Sequence, residues 1–305
     1  MSYKSKIVST GKYLPEGVIT NFDLEKLVDT NDEWIVSRTG INTRRKALES
    51  VLDMAYNASM DAIKKAEYDK DKIDLIIVAT ITNEIKSPSI ANLLQAKLGL
   101  NDKQVMAFDV NAACTGFVYA LEVATSLLQS WKFKSALVVG SEKMTNIVDF
   151  TDRNTCILFG DGAGSMIVEP GDIDSVFYND SKGDNTKILE VDKYVKMNGP
   201  RVYQFAVDII PKTINKILRD NNLTLDDIDV IIPHQANKRI VESIIKEMNL
   251  SDDKVILNID RYGNTSAASI PITIAEYKEE NKDLKTILIV GFGGGFTWGA
   301  AILKI

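Results

Sequence analysis

Residues 73–80 read IDLIIVAT, and residues 228–235 read IDVIIPHQ. Both are short, continuously apolar runs opened by the same Ile-Asp pair. Each follows a stretch of helical periodicity and a polar turn, AIKKAEYDKDK before the first and NKILRDNNLTLDD before the second. The pattern predicts helix, turn and buried strand, twice in one chain. The likeness extends outward from these octets. IANLLQAKLGLNDKQVMAFDV (90–110) parallels IVESIIKEMNLSDDKVILNID (240–260). SALVVGSEK (135–143) parallels TILIVGFGG (286–294), and FGDGAGSMIVE (159–169) parallels FGGGFTWGAAILK (292–304). Two similar halves are expected, residues 1–170 and 171–305.

Within each half, apolar strands alternate with helices, which favours an α/β class with mixed sheets. The strands LIIVAT, ALVVG, VIIP and ILIVG are apolar without alternation, as expected when both faces are covered. The stretch CTGFVYALEVATSLLQ (114–129) is apolar around most of a helical circumference, so it belongs at the centre. Two mixed sheets sandwiching buried helices, with further helices outside, satisfy these patterns.

Composition narrows the function. The chain has 305 residues, 45% hydrophobic and 26% charged, with a net charge of −6. That is a folded protein's composition, and its sign argues against a general nucleic-acid binder. No apolar run reaches the ~20 residues of a membrane span, and the N-terminal MSYKSKIVSTGKYLP lacks the apolar core of a signal peptide. A cytoplasmic protein is expected. Two cysteines, Cys114 and Cys156, make no disulfide framework, and a single histidine, His234, leaves no metal site of the usual His/Cys kind.

The repeat brings three reactive residues to similar places. Asp109 aligns with Asp260; Cys114 follows the first and Asn264 the second, so both fall in strand-to-helix turns. His234 follows another strand end. Reactive groups in α/β folds gather at such carboxyl ends. A helix N-terminus lowers a thiol's pKa, which would favour a Cys114 thiolate, although free cysteines are commonly small buried hydrophobes. Cys156, within NTCILFGDG, reads as core. His234 can donate, accept or carry charge near neutrality, or serve structure alone. The Asn264 amide can donate to an oxyanion or cap a helix. GDGAG (160–164) and GFGGG (291–295) precede apparent strands, whereas a dinucleotide loop precedes a helix. Those glycines suit close approach of backbone to a substrate carbonyl. Trp34 is either a core anchor or a platform for a nucleobase, with Arg153 as its stacking partner.

Taken in order, AACTGFVYAL, PHQAN, YGNTSAASIP and FGGGFTWG resemble the β-ketoacyl-acyl carrier protein synthase III family, as do NDEWIVSRTGI, DFTDRNT and FGDGAG. The resemblance runs nearly end to end. It implies a thiolase-like fold of αβαβα layers and a homodimer that condenses an acyl-CoA primer with malonyl-acyl carrier protein, starting fatty-acid chains. No cofactor is implied, since the CoA thioester is a substrate. Cys114 resembles the acylated nucleophile, and His234 and Asn264 the pair supporting decarboxylation and condensation. The N–H groups of Cys114 and Gly294 resemble the oxyanion hole. Trp34, Arg38, Arg153 and Asn237 resemble CoA contacts, and Gln235, Ala236, Asn237, Lys238 and Arg239 the carrier-protein docking strip. Ser87 stands where an aromatic residue is common in the partner's acyl pocket, implying room for longer primers. The segments after Arg45 and at 180–198 are short for the family, and Glu242, Glu247 and Gln204 weaken the expected basic patch.

Related condensing enzymes and acyltransferases of secondary metabolism share most of these features. A biosynthetic thiolase would require a second cysteine in the C-terminal half. A Cys-His-Asn hydrolase does not explain the two-half repeat, and a non-catalytic partner does not explain three intact reactive residues.

Overall fold

The computed structural model describes residues 2–130, 132–281 and 285–305. Nine strands carry the frame: β1 (Ser2–Tyr13), β2 (Leu75–Ala79), β3 (Met106–Val110), β4 (Ala136–Lys143), β5 (Asp161–Pro170), β6 (Ile173–Ser181), β7 (Val230–Pro233), β8 (Thr286–Gly293) and β9 (Thr297–Lys304). Among the described residues they form one sheet in the order β7-β8-β9-β6-β1-β5-β4-β2-β3. The first half contributes β3-β2-β4 in parallel, then β5 and β1 antiparallel. The second half repeats this: β7 and β8 are parallel, then β9 and β6 antiparallel. A parallel bridge from Ile231 to Val255 stands where β2 meets β3 in the first half. The expected two sheets are thus continuous, joined where Ser2–Ser5 pair antiparallel with Ile173–Val176. Nothing in the apolar patterns marked that junction.

Layering follows from which way each strand residue points. In β2, Leu75, Ile77 and Ala79 enter one apolar cluster and Ile76 and Val78 another. In β8, Ile287 and Ile289 share the cluster of Leu75, while Leu288 and Val290 face away. The shared cluster is central. It encloses α4 (Gly116–Leu128) and α7 (Ser269–Glu280), with Phe117, Leu121, Ile270 and Ile274 fully or nearly fully buried. Outside the first half lie α2 (Val51–Lys65) and α3 (Ile90–Lys97). Outside the second lie α5 (Gly199–Asp220) and α6 (Lys238–Glu247). The five layers are helix, sheet, helix, sheet, helix, so both faces of strands β2, β4, β7 and β8 are removed from water. That accounts for strands without polar alternation.

The outer helices begin where local chemistry dictates. Ser50 accepts from the Asp53 N–H while Asp53 caps Ser50 in return, starting α2. Asn237 accepts from the Arg239 N–H and starts α6. The two central helices start differently. Each is entered through a one-turn 3₁₀ segment, Ala113–Thr115 before α4 and Ser266–Ala268 before α7. Ala113 and Ser266 both have positive φ, 47° and 50°. By this geometry Ala113 corresponds to Ser266 and Cys114 to Ala267, so Asn264 corresponds to Asn111 rather than to the cysteine. The turns pack against small residues: a β-carbon on Gly140 would lie 2.5 Å from the Ala267 carbonyl oxygen.

Candidate active site

Cys114 and His234, each just beyond a strand end, and Asn264, which follows the short helix Ile259–Tyr262 rather than the expected strand, meet at the wall of one cavity of about 1050 Å³. Cys114 sits in the turn after β3. That turn is tied to β9 by Thr297 Oγ1, which donates to the Ala112 carbonyl at 3.1 Å, and by Thr115 Oγ1, which donates to the Thr297 carbonyl at 3.3 Å. His234 directly follows β7, its N–H donating to the Val290 carbonyl at 2.8 Å. Asn264 follows Gly263, whose φ of 67° opens the chain for the turn, and its own N–H donates to the Leu158 carbonyl at 2.8 Å. Gly293, at the end of β8, comes so close that a β-carbon there would lie 2.8 Å from the Cys114 nitrogen. Gly294 lines the same cavity.

Hydrogen bonding fixes what each group offers. His234 is 3% exposed, and its Nδ1 lies 2.7 Å from Ser269 Oγ. The Gln235 N–H donates to the same oxygen at 3.4 Å; in the tautomer in which the Ser269 hydroxyl donates to Nδ1, Nε2 carries the ring proton. Burial pulls the His234 pKa down to about 3, so the imidazole is neutral near pH 7. Asn264 combines both roles considered for it. Its Oδ1 accepts from the Ser266 N–H at 2.8 Å, holding the turn before α7, which leaves the amide nitrogen to the cavity. Two neutral N–H donors therefore belong to one wall.

The thiol departs from expectation. Burial pushes Cys114 up to about 12 from an ordinary thiol value; the Ser266 hydrogen bond opposes this, and the nearby Glu142 carboxylate adds a smaller rise. A shift of that size corresponds to ~4 kcal/mol. A helix N-terminus offers typically ~0.3–1 kcal/mol, so the start of α4 does not by itself produce a thiolate. Cys156 is 1% exposed and packs among Leu24, Ile35 and Phe159, as core.

The remaining expectations divide. Trp34 and Arg38 of α1 (Asp32–Thr39) line the cavity, with Arg38 exposed at its mouth. The Arg153 guanidinium carbon lies 4.0 Å from the Trp34 ring centroid, so a base entering between them has to displace it. Asn237 donates from Nδ2 to the Arg38 carbonyl at 3.1 Å besides capping α6, so both ends of its amide are engaged. Gln235 is a correction. It is 1% exposed, donates to the Pro233 and Ile256 carbonyls and accepts from the Asn258 N–H, so it braces the loop and cannot be part of a docking surface. Ala236 is half-buried; Lys238 and Arg239 are exposed, with Lys238 Nζ 3.7 Å from Glu242. Ser87 is exposed in the loop between β2 and α3 and is not among the residues lining its own chain's cavity.

Three polar residues of the site escaped the sequence reading. Ser269 orients the histidine. Ser266 accepts from the Cys114 thiol at 3.5 Å. Glu142, at the end of β4, is fully buried and takes four hydrogen bonds, from Thr82 Oγ1 (2.6 Å), the Ile81 N–H (3.1 Å), Ser266 Oγ (3.1 Å) and Thr80 Oγ1 (3.2 Å). Both serines stand inside the motif YGNTSAASIP, where their partners are invisible. A Glu-Lys pair closing an apolar strand ordinarily marks the solvent edge.

A doubled frame that delivers cysteine, histidine and asparagine to one cavity is the arrangement of thiolase-like condensing enzymes. Comparison with known proteins narrows this. Residues 108–182 match the family model for 3-oxoacyl-[acyl-carrier-protein (ACP)] synthase III, and residues 218–305 the model for its C-terminal part. A beta-ketoacyl-[acyl-carrier-protein] synthase III of Acholeplasma laidlawii is 57% identical over 98% of both chains. The crystal structure of 3-oxoacyl-[acyl-carrier-protein] synthase III from Aquifex aeolicus superposes with a TM-score of 0.95 at 43% identity, covering 99% of this chain and 100% of that one. The Pseudomonas aeruginosa enzyme of the same name gives 0.94 at 33% identity, covering 99% and 98%. The chain belongs to the 3-oxoacyl-[acyl-carrier-protein] synthase III family.

Proposed function

We propose that this enzyme transfers the acyl group of an acyl-CoA to Cys114 and condenses it, with loss of CO₂, with malonyl-acyl carrier protein. The product is a 3-oxoacyl-acyl carrier protein that starts a fatty-acid chain. The observation that carries this reading is the pairing of an accessible thiol with two neutral donors on one cavity wall. Attack of the Cys114 sulphur on the thioester carbon builds negative charge on the carbonyl oxygen, for which the Cys114 and Gly294 N–H groups are proposed donors. CoA leaves and the acyl group stays on sulphur. Malonyl thioester then loses CO₂, and the enolate oxygen is stabilised by His234 Nε2–H and the Asn264 amide. The enolate carbon attacks the acyl-enzyme carbonyl and expels Cys114. No step calls for a metal or redox cofactor.

Residues 1–170 supply the nucleophile and 171–305 the donors, so both halves act as one unit. Trp34, Arg38, Arg153 and Asn237 are proposed to hold CoA at the mouth. Lys238 and Arg239 receive the acidic carrier protein. Among the described residues, no helix is long and apolar enough to cross a membrane. The test is intact-protein mass spectrometry after mixing with acyl-CoAs of increasing length. A single acyl adduct on Cys114, discharged on adding malonyl-acyl carrier protein, is expected. No adduct from any acyl-CoA, with the fold intact, overturns the reading.

A further inference from the structure

Cys114 has to lose a proton to attack, and its hydrogen bond runs to neither of the donors already described. His234 is bound through Nδ1 to Ser269, and no hydrogen bond joins it to the thiol. The thiol instead donates to Ser266 Oγ at 3.5 Å, and the Ser266 hydroxyl donates to Glu142 Oε1 at 3.1 Å. Every link runs donor to acceptor in one direction, from sulphur to carboxylate. Ser266 is held in place by its own N–H on Asn264 Oδ1 at 2.8 Å. Ser266 and Glu142 are both 0% exposed, so the carboxylate end of the line lies inside the protein while Cys114 faces the cavity.

The geometry points to Glu142 as the store for the Cys114 proton, reached through the Ser266 hydroxyl, in both half-reactions of the condensation. The inference deepens the proposed function and rests on it. During acylation the S–H bond breaks as sulphur bonds to the thioester carbon. The thiol proton passes to Ser266 Oγ, and the proton already on Ser266 passes to the Glu142 carboxylate. CoA departs as a thiolate and takes its proton from solvent. In condensation the C–S bond to Cys114 breaks, and Glu142 returns its proton through Ser266 to the sulphur. Over the cycle Glu142 and Cys114 are restored and one proton from solvent is consumed, as decarboxylative condensation requires.

The surroundings suit a group that must change charge inside the protein. Glu142 Oε2 faces Thr80, Thr82 and the Ile81 N–H, and Oε1 faces Ser266; Cys114 lies beyond that hydroxyl. Among the described residues no cation is paired with it. Lys143, next in sequence, turns its Nζ to the Glu49 carbonyl at 2.8 Å. Burial, opposed by these hydrogen bonds, pushes the carboxyl up to about 7. A proton acceptor with its pKa near the working pH is the efficient case for general acid–base catalysis. Glu142 acts through Ser266 and is therefore a positioning residue, not one that touches substrate.

The test is single-turnover acylation by an acyl-CoA from about pH 6 to about pH 9, in wild type, Glu142→Gln, Glu142→Asp and Ser266→Ala. The wild-type rate should rise to a plateau through an inflection near pH 7, because Glu142 has to be ionised to accept. Glu142→Gln and Ser266→Ala should be slower by about 100-fold near neutrality. Both should lose that inflection and rise tenfold per pH unit, following direct ionisation of the thiol. Glu142→Asp should recover part of the rate and keep an inflection. Iodoacetamide labelling of Cys114 over the same range gives the same comparison without using CoA, so failure of the substrate assignment is read separately. An unchanged inflection in both folded Glu142→Gln and Ser266→Ala overturns the proposal. If Glu142→Gln does not fold, Ser266→Ala decides alone.

Discussion

At the scale of single residues, the site divides its work by charge state. His234 and Asn264 are neutral donors, and neither is hydrogen-bonded to the thiol. His234→Ala and Asn264→Ala should therefore still acquire an acyl group, yet lose condensation by roughly 10²–10³, the ~2.7–4 kcal/mol typical of one oxyanion donor. Acyl-enzyme mass and condensation rate, measured on the same preparations, check this. If His234→Ala cannot be acylated while folded, the histidine is the base for Cys114. The neutral imidazole also predicts a pH response. With the His234 pKa lowered to about 3, malonyl decarboxylation by Cys114→Ala should not change between about pH 5 and about pH 8. The sign for stability runs the other way: the unfolded imidazole binds a proton near its ordinary ~6.5 and the folded one does not. This residue should therefore lower stability as pH falls from about 6.5 toward about 3. Melting temperatures of wild type and His234→Asn over that range separate its share from the rest. The positions of Cys114 and His234 were legible as strand ends, whereas Asn264 was legible only through the motif YGNTSAASIP, since a short helix precedes it and its counterpart in the repeat is Asn111. Ser266, Ser269 and Glu142 were not, because a hydroxyl's partner depends on which turn faces it.

At the scale of elements, the central helices meet end to end through turns made of small residues, and this tightness is a requirement. A β-carbon at Gly140 would sit 2.5 Å from the Ala267 carbonyl. Gly140→Ala should cost ~1–3 kcal/mol by overpacking and displace the Ser266 turn. A lowered melting temperature together with slower acylation checks both effects. Helix α6 carries the other testable feature. With Gln235 buried, the proposed docking strip reduces to exposed Lys238 and its neighbours. Lys238→Glu should raise KM for malonyl-acyl carrier protein while leaving that for malonyl-CoA unchanged. Helix α6 itself could be read from the periodicity of IVESIIKEMNL, though not its Asn237 cap. The inward turn of Gln235, a few residues from the exposed Lys238, could not, because the polar side chain is absorbed by backbone groups of the 256–258 segment.

At the scale of the whole molecule, the repeat in sequence is a repeat in topology, and its two copies share one central layer. The continuous sheet was hidden because β1 and β6 pair over only a few residues far apart in the chain. The expected dimer would set Ser87, which is exposed and outside its own cavity, against the second copy. Light scattering at micromolar concentration should give a dimer mass. Ser87→Phe should shift preference toward short primers, since each methylene excluded from a pocket forfeits ~0.8 kcal/mol; an unchanged ranking of acyl-CoAs counts against it. The shared layer also bears on how the chain is made. Synthesis delivers Cys114 long before Ser266, Asn264 or Gly293. Until the second half folds, the sulphur is an ordinary thiol with a pKa of ~8.5, open to oxidants and alkylating agents. Folding of the second half changes the chemistry of the first: an indiscriminate nucleophile becomes one whose proton leaves only along Ser266. The unfinished chain is thus the form most easily damaged, and completing the fold protects the proposed nucleophile.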